Sequence, residues 1–387
     1  MKVRAQFLCL IALLFVHATV AAGQSSGCCG YKKLRCTPAR VKSPATKGLP
    51  VHLAGEGILP DPEIVRFAVI GDYGQGQYLC ERSVARMIAQ WNREAPLDFI
   101  ITLGDNNYQK GAASTLKKNI LNYYAEYIKR GVFYPSLGNH DWDTIKKTKP
   151  YAFGRPYPYL DLFSYLARFS PVSDPPVAGR YYQVSVKNRV DLFALDSNYQ
   201  EQDGTCCDSK QAAWLKQSLG SSTSPWKLVY FHHPPYSTAK LDFPGVWMRW
   251  PYQQWCATAI LTGHEHVYER IDKAGFPYFV NGLGGNAYTY NFKNCPVEQG
   301  SAMRFNSAPG AMLVIANSKE IEFGFYSIDD PKHPVDRYRI DSPPPCKQPP
   351  GRCTPPPELF NYCKQQPPRK APVEPDCPAG NFPANPP

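Results

Sequence analysis

Between residues 64 and 340 short apolar runs alternate with stretches of helical spacing. Val65 to Ile70, Leu97 to Leu103 and Val132 to Leu137 read as buried strands, too short for buried helices. Leu79 to Trp91 and Ser114 to Lys129 carry apolar residues at the three-and-four spacing of amphipathic helices. Such alternation predicts parallel strands joined by right-handed crossovers, hence an α/β fold. Farther on, Tyr181 to Val186 and Val190 to Leu195 read as a hairpin, and Ser209 to Leu219 as a helix. Lys227 to Phe231, Ala257 to Leu261, Tyr278 to Val280, Ala311 to Ala316 and Ile321 to Tyr326 complete the strands.

The two ends depart from this rhythm. Lys2 and Arg4 precede an apolar run from Phe7 to Val16, and small residues follow at Ala18, Ala21, Ala22 and Gly23. That reads as a secretory signal over residues 1–22, and no other run approaches the roughly 20 apolar residues of a membrane span. Residues 23–63 form an arm with Cys and Pro; residues 341–387 form a tail holding 16 of the 39 prolines. A segment of that composition favours polyproline II and adds little to a core. It reads as a tail or linker without an assignable partner.

Composition changes the picture in three places. Cys9 leaves with the signal, and the remaining 12 of 13 cysteines are an even set without a C-x-x-C pattern. Export and that count point to disulfides rather than zinc. The net charge of +11 includes no dense basic block, Lys146, Lys147 and Lys149 being the nearest, so nucleic-acid binding is not expected. Third, five of the eight histidines fall in short blocks that directly follow apolar runs.

There are five such blocks: Gly71-Asp72-Tyr73-Gly74, Gly104-Asp105-Asn106-Asn107-Tyr108, Gly138-Asn139-His140-Asp141, Phe231-His232-His233-Pro234 and Gly263-His264-Glu265-His266. In open α/β sheets ligands bind beyond the carboxyl ends of strands, which is where these side chains fall. Carboxylates, amides and imidazoles together suit iron, zinc or manganese better than calcium. Singly each block is weak, since Gly-Asp after a strand is usually a turn. Five in order are specific.

That ordered set resembles the signature of the calcineurin-like metallophosphoesterases over roughly residues 65–330. Tyr108, three residues after Asp105, and the run Gly263 to Arg270 are similar to the purple acid phosphatase branch, which includes the tartrate-resistant acid phosphatases. The resemblance implies two facing mixed β-sheets flanked by helices, with a dinuclear metal centre at the carboxyl ends of strands and residues 64–340 as the catalytic domain. It implies Fe(III) on Asp72, Tyr108 and His266, and Fe(II), Zn(II) or Mn(II) on Asn139, His232 and His264, with Asp105 bridging. His140 then stands beside the phosphate as a catalytic residue, Asn139 also faces substrate, and a metal-activated water is the nucleophile. The implied protein is a secreted acid phosphatase acting on phosphorylated small molecules or phosphoproteins.

The residues also depart from that pattern. Plant members carry paired histidines in the loop after the fourth block, and Ser237 to Met248 contains none. His233 stands directly after His232 and is open to two readings, a substrate contact or a structural hydrogen bond. Asp141 and Asp196 read as turn residues, and the aromatic run Tyr151 to Tyr165 as packing. A phosphodiesterase or nucleotidase on the same core is the alternative enzyme, and a non-catalytic secreted binding protein the alternative of another class.

Overall fold

The computed structural model describes residues 31–33 (backbone), 64–76, 79–142, 158–172, 178–239, 245–293, 297–346 and 348–364. The signal segment, most of the arm, Lys146 to Lys149 and the last part of the tail lie outside them. The three runs that open the domain are strands: β2 (Val65–Ile70), β3 (Phe99–Thr102) and β4 (Phe133–Pro135) pair in parallel. Every β3 residue is buried, as a strand covered on both faces requires. Beyond β2 the sheet continues antiparallel through β13 (Gly310–Ala316), β14 (Ile321–Ser327) and β15 (Asp336–Ile340), giving six strands.

The second sheet has seven strands. Its parallel centre is β6 (Val190–Ala194), β7 (Trp226–Phe231), β8 (Ala259–Thr262) and β10 (Phe276–Asn281). Antiparallel β5 (Tyr182–Val186) closes one edge, and β9 (Tyr268–Lys273) with β12 (Ser301–Phe305) closes the other. A two-stranded ribbon joins β1 (Tyr31–Lys33) to β11 (Tyr288–Tyr290).

The two sheets face each other. Phe279 stacks on Phe323 at 4.8 Å and Tyr268 on Phe325 at 4.1 Å. Tyr230 and Tyr182 reach across to donate their hydroxyls to Tyr134 O at 3.1 Å and Pro135 O at 2.7 Å. Both of these buried phenols thus have a partner. Helices α1 (Leu79–Glu94), α2 (Asn122–Lys129), α3 (Asn139–Trp142), α4 (Tyr159–Leu162), α5 (Lys210–Ser221) and α6 (Phe360–Lys364) complete the described elements. On α1, Val84, Met87, Ile88 and Trp91 repeat at helical spacing and are all buried, with Trp91 against Tyr326 at 5.3 Å. On α5, Ala212, Leu215 and Leu219 pack on the outer face of the seven-stranded sheet. Ser209 caps this helix, its Oγ accepting the Ala212 N–H at 3.2 Å.

Two places differ from the sequence pattern. The single helix expected over Ser114 to Lys129 is a 3₁₀ turn, a π turn at Lys117–Leu121 and then α2. The wide turn presents buried Asn119 to the loop after β3, where it donates to Asn107 Oδ1 at 2.9 Å and Tyr108 O at 2.8 Å. The described part of the Pro-rich tail is stitched to the body by Cys256–Cys346, Cys207–Cys353 and Cys206–Cys363. It lays Tyr362 on Trp247, ring centroids 5.7 Å apart, so it acts as a strap over the outer face of the second sheet. Cys80 is disulfide-bonded as well. No helix among the described residues is long and apolar enough to cross a membrane.

Candidate metal centre

β2, β3, β4, β7 and β8 all end at one edge of the sandwich, and each is followed by one of the five blocks. The backbone turns sharply there. Asp72, Asp105 and His264 hold φ of 57°, 51° and 67°, a left-handed conformation that non-glycine residues rarely adopt. Each follows a glycine, and close packing accounts for Gly263 before His264 and for Gly138 before Asn139. A Cβ on Gly138 would meet Asp105 Oδ1 at 2.2 Å, and one on Gly263 would meet Asp72 Oδ2 at 2.6 Å. Backbone approach this close leaves room for glycine alone.

Six of the seven ligands implied by the resemblance fall into two triangles. In the first, Tyr108 Oη lies 3.1 Å from Asp72 Oδ1 and 3.1 Å from His266 Nε2, which is 3.4 Å from Asp72 Oδ1. In the second, Asn139 Oδ1 lies 2.9 Å from His232 Nε2 and 3.1 Å from His264 Nδ1, and those nitrogens are 3.1 Å apart. Asp105 stands between: its Oδ1 is 3.4 Å from His232 Nε2, and Asp72, Asp105 and His232 converge within 4.8 Å. An ion bound at about 2.1 Å keeps adjacent ligands about 3 Å apart, so both triangles have the right size.

The ring nitrogens are set for ligation. His232 Nδ1 donates to Leu103 O at 2.8 Å and His266 Nδ1 to Tyr288 O at 2.9 Å. With those protons placed, displacement of any second ring proton by a bound cation would turn an Nε2 lone pair of each ring to the centre, the arrangement that orients metal-bound imidazoles. Tyr290 stacks on His266 at 4.5 Å and steadies its plane. The donor chemistry fits cations: two carboxylates, a phenol and an amide oxygen aim at points where the facing side chains are imidazoles.

Charges within the cluster show the same demand. Burial opposes the charge on Asp105, yet facing His232 and His140 hold its carboxyl well below the ordinary range. Burial likewise opposes protonation of His232, but Asp105 prevails and raises it to about 10. Burial, then Asp105 and Asp72, push the Tyr108 phenol well above 10. A bound cation inverts that last effect, because its charge favours the phenolate. Burial first, and then neighbouring imidazoles, push His233 and His264 well below their ordinary range.

The remaining predicted residues separate by surroundings. His140 lies beside Tyr108, ring centroids 4.4 Å apart and tilted, donates Nδ1–H to Gln109 O at 2.6 Å and holds Nε2 3.8 Å from Asp105 Oδ2. His233 is buried, with Nδ1 2.9 Å from Ser197 Oγ and its ring 4.5 Å from that of His264. Asp141 works within the turn: Oδ2 accepts from Gly138 N at 2.9 Å and Asn106 Nδ2 at 2.9 Å. Burial and then Asp105 raise its carboxyl to about 6. Tyr159, Phe163 and Tyr165 are packing residues, two of them donating to Pro135 O and Phe133 O.

Two residues near the centre escaped the motif reading. Asp196 makes the turn contact expected of it, Asn198 N at 2.9 Å, but its other oxygen accepts Trp142 Nε1 at 3.0 Å and so anchors α3, which carries Asn139 and His140. Ser197 bonds His233. Both lie just past β6, and the residues around them are neither glycine nor histidine, so no motif marked them.

Residues 65–268 match the calcineurin-like phosphoesterase family model. Purple acid phosphatase 4 of Arabidopsis thaliana is 23% identical over 301 residues, covering 72% of this chain and 85% of that protein. Tartrate-resistant acid phosphatase type 5 of Mus musculus is 26% identical over 256 residues, 60% of this chain and 76% of that protein. Among solved structures, a purple acid phosphatase from yellow lupin (Lupinus luteus) seeds shares the fold with a TM-score of 0.55 at 16% identity. That likeness covers 72% of this chain and 54% of the lupin chain. The chain therefore belongs to the calcineurin-like phosphoesterases, metal-dependent enzymes, as a purple acid phosphatase-like member.

Proposed function

We propose that this chain is a secreted acid phosphatase that hydrolyses phosphate monoesters. Asp72, Tyr108 and His266 would hold Fe(III), Asn139, His232 and His264 would hold Fe(II), Zn(II) or Mn(II), and Asp105 would bridge. The observation that carries the proposal is the pair of donor triangles about 3 Å on a side with a carboxylate between them. The phenol favours a trivalent ion at the first triangle, since a phenolate is hard and anionic, whereas the neutral amide and imidazoles suit a divalent ion at the second. Ions bound there acidify a water and neutralise charge on the phosphoryl oxygens.

The chain's own residues do the rest. His140, oriented by its bond to Gln109 O, stands where it can stabilise the phosphoryl charge or hand a proton to the leaving oxygen. Asn139 and His233 face the same phosphoryl group from the second triangle. Lys2 and Arg4 before an apolar run, with the disulfides, support export to an oxidising compartment. Substrates are then phosphorylated small molecules or phosphoproteins. The test is turnover of an aryl phosphate monoester against the matching diester across pH 4–8, with metal analysis of the purified protein. Two ions per chain, monoester preference and an optimum below neutrality are expected; faster diester hydrolysis would overturn the monoester assignment.

A further inference from the structure

Ser197 is wholly buried just past the end of β6. Its Oγ accepts the backbone N–H of His233 at 3.0 Å and lies 2.9 Å from His233 Nδ1. A buried hydroxyl needs an acceptor for its own proton. Among the described residues, Nδ1 is the acceptor within reach of that hydroxyl. Were the ring proton on Nδ1, two donors would meet the serine oxygen and the serine hydrogen would have nowhere to go. The serine therefore donates to Nδ1, and the proton of the neutral ring sits on Nε2.

The surroundings hold this arrangement rigid. Trp247 Nε1 donates to Ser197 O at 3.0 Å, and its ring lies 5.5 Å from that of His233. One residue earlier, buried Gln211 grips the backbone of Asp196 from both sides, accepting its N–H at 2.8 Å and donating to its carbonyl at 3.0 Å. A ring nitrogen of His233 comes within 4.8 Å of ligand nitrogens on His232 and His264, so a third imidazole crowds the second triangle. An imidazole nitrogen that carries hydrogen cannot ligate a cation.

We infer that Ser197 is a positioning residue that locks His233 as its Nε2–H tautomer, making His233 a fixed donor to a phosphoryl oxygen and not a metal ligand. This rests on the dinuclear phosphoesterase reading above and deepens it toward substrate class. A phosphate monoester offers three non-bridging oxygens and a diester two, so one more fixed donor favours the monoester.

The test uses the full-length chain loaded with diamagnetic zinc, ¹⁵N-labelled at histidine, with inorganic phosphate as the probe. Long-range ¹⁵N–¹H correlation should show His233 unprotonated at Nδ1 and protonated at Nε2. Ser197→Ala should give a tautomer mixture and weaken phosphate binding about twofold, in proportion to the fraction of rings that leave the Nε2–H form. Ser197→Thr, which keeps the hydroxyl, should restore both. His233→Ala should weaken phosphate about tenfold, the effect of losing one hydrogen bond to a charged group, with the double variant no weaker than His233→Ala alone. A wild-type His233 protonated on Nδ1, or phosphate binding unchanged in Ser197→Ala or His233→Ala, overturns the inference. Failure of the parent reading looks different: a chain that binds no metal and turns over no phosphate ester.

Discussion

The two sheets contribute different chemistry to one centre. All the oxygen donors, Asp72, Asp105, Tyr108 and Asn139, follow strands of the six-stranded sheet, and all the nitrogen donors, His232, His264 and His266, follow strands of the seven-stranded sheet. Each triangle borrows across the gap, the first taking one nitrogen and the second taking one oxygen. Neither sheet can assemble a site alone. Ions bound there would act as cross-ties between layers that also share aromatic stacking and tyrosine hydrogen bonds, which would couple metal affinity to the docking of the two halves.

The strongest test of this division removes nitrogens. His264→Ala and His266→Ala should each lower activity at least 100-fold, and elemental analysis should show loss of a different ion in each. Chelation of the wild type should depress the melting temperature if the ions tie the sheets, and an unchanged melt would break that claim. Next comes the strap, whose three described disulfides join it to the seven-stranded side. Replacing the Cys207–Cys353 pair with serines, with the neighbouring Cys206–Cys363 and Cys256–Cys346 bridges kept, should cost about 3 kcal/mol. Hydrogen exchange should then quicken in α5 and β7 but not in β2 to β4, while turnover of small phosphates survives.

On the oxygen side, Tyr108→Phe keeps the ring and deletes the donor. The iron-loaded wild type should show the visible phenolate-to-iron band, and the variant should fold, lose the band and lose about tenfold in rate. The smallest effect is on Glu81, in the helix after β2. Burial holds its carboxyl at about 9 in the folded chain against an ordinary 4.5, with Oε2 accepting the Gly76 N–H. The folded state thus keeps a proton that the unfolded chain releases above pH 4.5, so stability declines as pH rises from 4.5 to 9. Glu81→Gln removes that slope. Denaturant titrations should find the variant gaining on the order of 1 kcal/mol over wild type between pH 5 and pH 6.

What the sequence made legible follows from how local each signal is. Strand–glycine–ligand blocks are local, and the structure brings Asp72, Asp105, Tyr108, Asn139, His232, His264 and His266 to one edge. The hairpin at Val186 and Val190 and the helix after Ser209 are local too. Asp196 was read as a turn residue because that half of its bonding is two residues away, whereas its bond to Trp142 spans 54 residues. Ser197 looks like any strand-end serine until β6 and β7 pair and bring it to His233. The break in the helix over Ser114 to Lys129 answers to a loop ten residues earlier, which helical periodicity does not register. Cysteine pairing needs the folded path of the chain, and composition alone does not contain it.

Cys206 and Cys207 are neighbours, yet their partners arrive 157 and 146 residues later. A ribosome adding about 5–20 residues per second leaves these two thiols unpaired for roughly 10–30 s after they are made. The bridges over the outer face of the seven-stranded sheet therefore close only after all five motif blocks have been synthesised. Adjacent thiols also make exchange easy: swapping Cys353 for Cys363 shifts the strap by ten residues while leaving every sulfur paired. Yield of correctly threaded protein should accordingly depend on a disulfide isomerase in the host, and produced in a reducing cytosol the chain should carry its motifs intact under an unfastened strap.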